Sequence, residues 1–145
     1  MDMTNKEYEK IASRANPKSP ILKNLVMAFL IGGAICTLGE AIRSYGIARG
    51  LSPQEASTVT SVALIFLSAL FTGLDLYDGL AKIAGAGTLV PITGFANSIA
   101  APAIEFKSEG YILGMGAKMF IIAGPVIVYG SLSAAAAGII YFLIR

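Results

Sequence analysis

An apolar run from Gly85 to Pro102 most constrains what this chain can fold into, because helix breakers interrupt it where a plain spanning helix would carry leucine. The hydrocarbon core of a membrane holds no water, so irregular backbone there must be buried in protein or face a wet cavity. Broken helices often form binding sites or pores in transport proteins, because their free ends present uncancelled dipoles to a solute. We therefore expect the functional site in this segment. The breakers and the polar residues among them are Gly85, Gly87, Pro91, Gly94 and Pro102, with Thr88, Thr93, Asn97 and Ser98.

Composition and charge identify a single membrane domain. The 145 residues are 55% hydrophobic and 14% charged, against the roughly 25% charged residues of typical soluble domains. Five of the eleven basic residues lie in the first 23 positions, so the positive-inside rule predicts that a polar segment of residues 1–20 is cytoplasmic. This segment has no interleaved aromatic residues, and we expect no nucleic-acid binding. It is too long and polar for a cleavable signal peptide.

The apolar residues predict an all-α integral membrane protein with three full transmembrane helices plus one Gly/Pro-broken element. Within a membrane domain of residues 21–145, the spans are expected at about 21–42, 56–76 and 119–143, with the broken element at about 80–105. Ser52 and Glu55 form a capping-box pattern that begins the second span. The broken element either crosses as two half-helices, which leaves the C-terminus inside, or re-enters and returns, which leaves it outside. The remaining charges do not decide between these alternatives.

Polar residues recur along one face of the second predicted span. The functional interpretation is a wet face that lines a conduction path and ends in a carboxylate. The alternative is that the hydroxyls bond to their own helix or to a neighbouring one. Glu40, near the end of the first span, is either a functional intramembrane carboxylate or the partner of Arg43, one turn away. The row on the second span comprises Thr58, Ser61, Ser68, Thr72 and Asp75.

The sequence contains no pattern typical of an enzyme. It has no histidine, and its one cysteine, Cys36, lies within a predicted span and has no second cysteine to pair with. We therefore expect no enzymatic activity, no cofactor and no metal site. In the last span, Gly130, Ala134 and Gly138 recur every four residues, which predicts close approach by another helix.

Three long motifs resemble those of the SpoVAC/SpoVAEB family, small membrane proteins of endospore-forming bacteria. They are MTNKEYEKIASRANPKSPILKN (Met3 to Asn24), GAGTLVPITGFANSIAAPAIEFKSEG (Gly85 to Gly110) and GAKMFIIAGPVIVYG (Gly116 to Gly130). The resemblance implies a role in moving dipicolinic acid, with calcium, across the inner spore membrane during sporulation and germination. It also implies other subunits of the same group as partners, and a channel-like or tension-gated character.

The broken element suits a dianion such as dipicolinate, because helix N-termini favour negative charge. We hypothesise that Thr88, Thr93, Asn97 and Ser98, with the amides around Gly87 and Gly94, form a polar constriction. Pro91 and Gly94 would hold the break open. Lys82, Lys107 and Lys118 would raise the local anion concentration at the mouths, although Lys118 also suits snorkelling to the interface.

Two other functions fit the same sequence. One is an assembly or scaffold subunit whose broken segment packs against partners and conducts nothing. The other is a homo-oligomeric pore opened by membrane tension. A single copy with three or four spans is too small to enclose a solute path, so each of the conducting alternatives predicts oligomers or partner subunits.

Overall fold

The computed structural model describes residues 19–144, so nearly all of the predicted polar segment 1–20 lies outside the described residues. Within the described part there are helices and turns and no strand. Six α-helices follow one another: α1 (Ile21–Ala48), α2 (Pro53–Gly73), α3 (Tyr77–Ala84), α4 (Ala86–Leu89), α5 (Ile92–Glu105) and α6 (Ala117–Ile144). Between α5 and α6 lie a short 3₁₀ helix, Lys107–Glu109, and a π-helix, Tyr111–Gly116.

Among the described residues, three helices are long and apolar enough to cross a membrane, as predicted: α1, α2 and the continuous run Tyr111–Ile144. With a rise of about 1.5 Å per residue, α2 with its 21 residues is about as long as the ~30 Å hydrocarbon core is thick. The 28 residues of α1 and of α6 exceed that length. All three helices extend beyond at least one of the boundaries expected from the sequence.

Helices α1 and α2 pack antiparallel through small residues. Gly46 of α1 lies against Ala56 at the start of α2, and Gly39 lies against Leu64 two turns further on. The predicted capping box begins α2: the Ser52 amide donates to the Glu55 carboxylate at 2.9 Å, and the Glu55 amide donates to the Ser52 hydroxyl. The connector therefore closes in only a few residues, and α2 returns directly along α1.

Residues 77–105, which comprise α3, α4 and α5, form a unit that we call the broken hairpin. Ser68 of α2 bonds to Thr93, and Thr72, one turn later, bonds to Asn97. Both partners advance by four residues, so α5 runs parallel to α2. Glu105 at the end of α5 consequently lies beside Asp75, which follows α2. The chain thus runs inward along α3 and α4, reverses, and returns along α5 to the end of the bundle from which it started.

Two backbone breaks make this reversal possible. Gly85 has φ 51° and ψ −119°, a conformation that side chains with a Cβ rarely adopt. Pro91 is extended, with ψ 163°, and stands at the N-cap position of α5, where its missing N–H removes no helical hydrogen bond. The three helices have 8, 4 and 14 residues, so none of them alone reaches the ~20 residues of a full span.

Helix α6 packs on α5 only near its beginning. Ala123 is buried there, whereas α6 is exposed from Pro125 to its end. The predicted small-residue row Gly130, Ala134 and Gly138 lies in this exposed part, and a Cβ at either glycine would meet nothing within 4 Å. Within residues 19–144 the row therefore has no helix packed on it, and close packing there stays a prediction about another chain.

Asp75 ends α2 in a Schellman motif. The Leu76 amide donates to the Phe71 carbonyl at 2.9 Å and the Asp75 amide to the Thr72 carbonyl at 3.1 Å. These bonds place Asp75 at the C′ position, which glycine usually occupies, with φ 59°. The carboxylate predicted to end a conduction path therefore belongs to a residue with a backbone conformation that glycine usually adopts.

Replacing Asp75 with glycine is expected to raise the free energy of unfolding in detergent by about 1 kcal/mol, because the left-handed conformation costs a residue with a Cβ about that much. Asp78→Gly makes the same chemical change inside the first turn of α3, where glycine weakens a helix, and should lower stability. Thermal unfolding followed by circular dichroism measures both. A loss of stability in Asp75→Gly would mean that the carboxylate itself holds the turn.

Candidate functional site

A cavity of about 440 Å³ lies between the two arms of the broken hairpin and the beginning of α6. We call it the hairpin cavity. Its volume falls in the range of small-molecule sites, about 300–1,000 Å³. It brings together four of the residues predicted to contact a solute: Thr88, Gly94, Asn97 and Ser98. The two arms of the hairpin thus place polar side chains from the broken segment around one space.

The wall formed by α3 and α4 is held by a buried tyrosine. The Tyr77 hydroxyl donates to the Thr88 carbonyl at 2.9 Å, and Tyr77 is 4% exposed. The Thr88 hydroxyl in turn donates to the Gly85 carbonyl at 3.0 Å. The Thr88 amide donates to the same Gly85 carbonyl at 3.2 Å, so side-chain and backbone donors together satisfy the backbone oxygens around the break.

The opposite wall, α5, is fixed to α2 by hydrogen bonds. The Ser68 hydroxyl donates to the Thr93 carbonyl at 2.6 Å. The Thr72 hydroxyl lies 2.8 Å from both the Ser68 carbonyl and the Asn97 Oδ1. Asn97 is therefore oriented by α2 while it lines the hairpin cavity. The Ser98 hydroxyl bonds only within α5, to the Phe95 carbonyl at 2.7 Å.

The polar row of α2 divides into two parts. Ser68 and Thr72 bond to α5, which is the cross-helix alternative considered for them. Thr58 and Ser61 instead donate to the carbonyls of Gln54 and Ser57 in their own helix, at 3.1 Å in each case. These last two lie toward the far end of α2 and do not line the hairpin cavity. Within the part of the chain that the structure describes, the row on α2 does not line one continuous polar path.

Two further residues of the predicted constriction lie outside the hairpin cavity. Pro91 borders an apolar groove on the α1 side of the molecule. Thr93 faces α2 and borders a small cavity of about 80 Å³. Thr93 is 6% exposed, and its hydroxyl has no hydrogen-bond partner among the described residues. A buried hydroxyl without a partner lowers stability by about 1–3 kcal/mol.

Thr93→Val keeps the side-chain shape and removes the unpartnered oxygen, so it should raise the free energy of unfolding by about 1 kcal/mol. Thr88→Val is the matched control, since it deletes a hydroxyl that donates to Gly85 and should destabilise by a similar amount. Unfolding in mixed detergent micelles measures both. A stability gain in Thr93→Val combined with a loss of solute flux would indicate a hydroxyl retained for transport rather than for folding.

A second, acidic cavity of about 300 Å³ adjoins the hairpin cavity at the ends of α2 and α5. It shares Asn97 and Glu105 with the hairpin cavity, and adds Asp75 and Asp78. The described residues contain no group of three or more His, Cys, Asp or Glu side chains arranged to hold a metal ion. Of the three carboxylates at this opening, Asp78 is paired with Lys82. Asp75 and Glu105 form no ion pair among the described residues, so they attract cations and repel free anions.

The lysines predicted to attract anions are partly engaged. Lys82 forms an ion pair with Asp78 at 2.6 Å. The Lys118 ammonium lies 4.8 Å from the centre of the Phe106 ring, a cation–π distance. Lys107 is exposed in the 3₁₀ helix. These three positions surround the same end of the bundle as the acidic cavity, so the charges there are mixed.

Glu40 lies away from both cavities. Its two carboxylate oxygens accept from the Arg43 guanidinium at 2.9 Å each, and Ser44 donates to it at 3.2 Å. The geometry is the ion-paired alternative considered for this residue. Sequence reasoning missed Tyr77 and Glu105, which line the hairpin cavity. For Glu105, at the end of the predicted broken element, the available signal was the re-entrant alternative, which brings the two ends of that element together. Tyr77 lies outside the predicted element.

The chain matches known proteins in sequence. The family model described as SpoVAC/SpoVAEB sporulation membrane protein matches residues 24–140. The chain is also similar to Stage V sporulation protein AC of Bacillus subtilis (strain 168), with 43% identity over 143 residues, which is 97% of this chain and 95% of that protein. No solved structure matches the fold.

Proposed function

Since the chain belongs to the SpoVAC/SpoVAEB family of sporulation membrane proteins, we propose that it is a non-enzymatic channel or transport subunit that carries dipicolinate, with calcium, across the inner spore membrane. The observation that carries the proposal is the hairpin cavity, in which Thr88, Asn97 and Ser98 face a common space. The broken hairpin surrounds it with irregular backbone, which a membrane tolerates beside a wet cavity.

In this proposal the broken hairpin is a re-entrant element. The beginning of α1, both ends of the hairpin and the beginning of α6 lie at one end of the bundle, and α6 as a spanning helix would carry its C-terminal end toward the other. Among the described residues, four lysines lie at the first end and two arginines toward the second, and the positive-inside rule therefore makes the first end cytoplasmic. They are Lys23, Lys82, Lys107 and Lys118, against Arg43 and Arg49.

The charges at the opening favour a particular form of the solute. Asp75 and Glu105 line the acidic cavity without an ion-pair partner among the described residues, and their charges oppose entry of a free dianion. A complex of one calcium ion with one dipicolinate is neutral, and its cation is attracted by the same carboxylates. We therefore propose that the solute passes this opening as its calcium complex, with Thr88, Asn97 and Ser98 contacting it further in.

The exposed part of α6 favours assembly with other chains. From Pro125 onward this helix is exposed on every side within the described residues, and its small-residue row offers a close-packing face. We propose that α6 contacts other subunits of the same group or further copies of this chain. A pure scaffold role rests on the same observation, and a tension-gated homo-oligomer would also use this face.

Reconstitution in liposomes tests the proposal. Liposomes loaded with calcium dipicolinate are prepared with the complete set of partner subunits, with the set lacking only this chain, and with this chain alone. We expect release from the complete set and a loss of release when this chain is omitted. Unchanged release without the chain overturns the proposal. Patch recording of the chain alone under suction identifies the tension-gated alternative.

A further inference from the structure

A groove runs along the outer face of α1 where the broken hairpin meets it. It consists of two adjoining hollows of about 430 and 310 Å³, which share Ala28 and Ala86. Its floor is a backbone contact, because a Cβ on Gly32 would lie 3.2 Å from the Gly87 carbonyl oxygen. We call this surface the outer groove. It lies on the opposite side of α4 from the hairpin cavity and has no place in the proposed solute path.

The outer groove has polar groups at only one of its ends. Ser19, Asn24 and Lys82 border the hollow at the beginning of α1. The remaining walls are apolar, and the inner hollow ends at Cys36, Val90 and Pro91. A groove with a charged and amide-bearing end and an otherwise apolar wall is complementary to an amphiphile, which has a polar head and an apolar tail. A transmembrane helix of another chain would not require polar groups at one end of the groove.

The length of the outer groove agrees with that of a lipid tail. From Asn24 to Cys36 the groove follows twelve residues of α1, which is about 18 Å at the rise of an α-helix. One leaflet of the hydrocarbon core is about 15 Å deep, half of the ~30 Å total. An acyl chain whose head lies at Asn24 would therefore end near Cys36.

The charge at the mouth favours an anionic head. The Lys82 ammonium contacts Asp78, but an ammonium has three donors, and the side chain is 73% exposed. The N-cap residue of α1, Pro20, provides no side-chain cap for the amides of the first turn, and the positive end of the helix dipole points to the same place. We propose that the outer groove binds one acyl chain of an anionic phospholipid, with its phosphate at Lys82 and Asn24.

Retention of lipid by the purified full chain tests the head-group part. The detergent-solubilised protein is titrated with phosphatidylglycerol or phosphatidylcholine of identical chains, and bound lipid is counted by native mass spectrometry. We expect phosphatidylglycerol to bind about fivefold more tightly, the contribution of one lysine near an anionic lipid. Lys82→Gln should abolish the difference, and Asp78→Asn should enlarge it because the carboxylate no longer competes. Equal binding of the two lipids by the unmodified chain overturns the proposal.

Cys36 tests the tail part, because it is the one cysteine of the chain and borders the inner end of the groove. Dipalmitoyl phosphatidylglycerol should slow alkylation of its thiol by a maleimide, whereas the dihexanoyl lipid, whose chains are too short to reach it, should not. If the two lipids protect the Cys36 thiol equally, or if neither lipid protects it, the proposed position of the acyl chain is wrong. Because these readouts do not involve solute flux, they stand or fall separately from the proposed transport function.

A groove-filling variant supplies the matched control. Gly33 borders the outer groove, and a Cβ there would meet nothing within 4 Å, so Gly33→Leu should fold and lose the retained phosphatidylglycerol. Ala34→Leu adds the same side chain at the next position of α1, which is exposed and does not border the groove; it should retain the lipid. Equal retention by the two variants contradicts the location.

Discussion

Replacing Gly87 with valine is expected to lower the free energy of unfolding by about 3 kcal/mol or more, at the upper end of the cost of overpacking. A Cβ at this position would overlap the backbone carbonyl of Ala28 in α1. Backbone cannot rotate away as a flexible side chain does, so α4 has to move off α1. Denaturation in mixed detergent micelles measures the loss, which is a large share of a total stability of about 5–15 kcal/mol.

Gly79→Val is the control for this effect. Gly79 lies in α3, in the same broken hairpin, and a Cβ there would meet nothing within 4 Å. The two variants make the same chemical change in short helices, so they share the effect of valine on helix propensity. We expect Gly79→Val to change stability by less than about 1 kcal/mol. Similar losses in both variants would show that the contact between α4 and α1 contributes little.

The predictable parts of the fold are those that depend on local sequence. The pattern of Ser52 and Glu55 sets the beginning of α2, because both capping bonds join residues three apart. Glycine and proline mark the breaks at Gly85 and Pro91 for a similar reason, since one residue's backbone preferences decide each of them. Long apolar runs likewise indicate three spanning helices.

The course of the broken hairpin was not predictable from the sequence. It depends on the pairs Ser68–Thr93 and Thr72–Asn97, whose members are 25 residues apart. Helical periodicity places Ser68 and Thr72 on one face but contains no information about which helix meets that face. Both directions of the chain after Pro91 satisfy the same local preferences, so crossing and returning remained equal alternatives.

The sequence indicates some of the residues that line the hairpin cavity but not the boundary of that cavity. The broken segment supplied Thr88, Asn97 and Ser98, which share the hairpin cavity. Thr93 belongs to the same polar pattern, yet it faces α2, because neighbouring positions of a helix point in different directions. Glu105 escaped notice because only the return of α5 brings it to the cavity. Which residues a solute contacts stays a prediction for all of them.

Filling the hairpin cavity is expected to reduce dipicolinate flux strongly without unfolding the protein. Ser98→Leu introduces an apolar side chain into the cavity and breaks only a bond within α5, to the Phe95 carbonyl. If the solute passes there, its path is narrowed and loses a hydroxyl. We expect release from liposomes containing the complete set of subunits to fall about tenfold or more, which corresponds to about 1.4 kcal/mol in the barrier.

Ser61→Leu separates this effect from a general effect of leucine. The Ser61 hydroxyl also bonds only within its own helix, to the Ser57 carbonyl, and the residue does not line the hairpin cavity. Flux through Ser61→Leu should therefore stay near that of the unmodified chain at equal protein levels. Equal flux through Ser98→Leu and Ser61→Leu, with both proteins folded, would place the solute path outside the hairpin cavity. If the chain remained necessary for release in that case, its contribution would be assembly, with α6 as the contacting element.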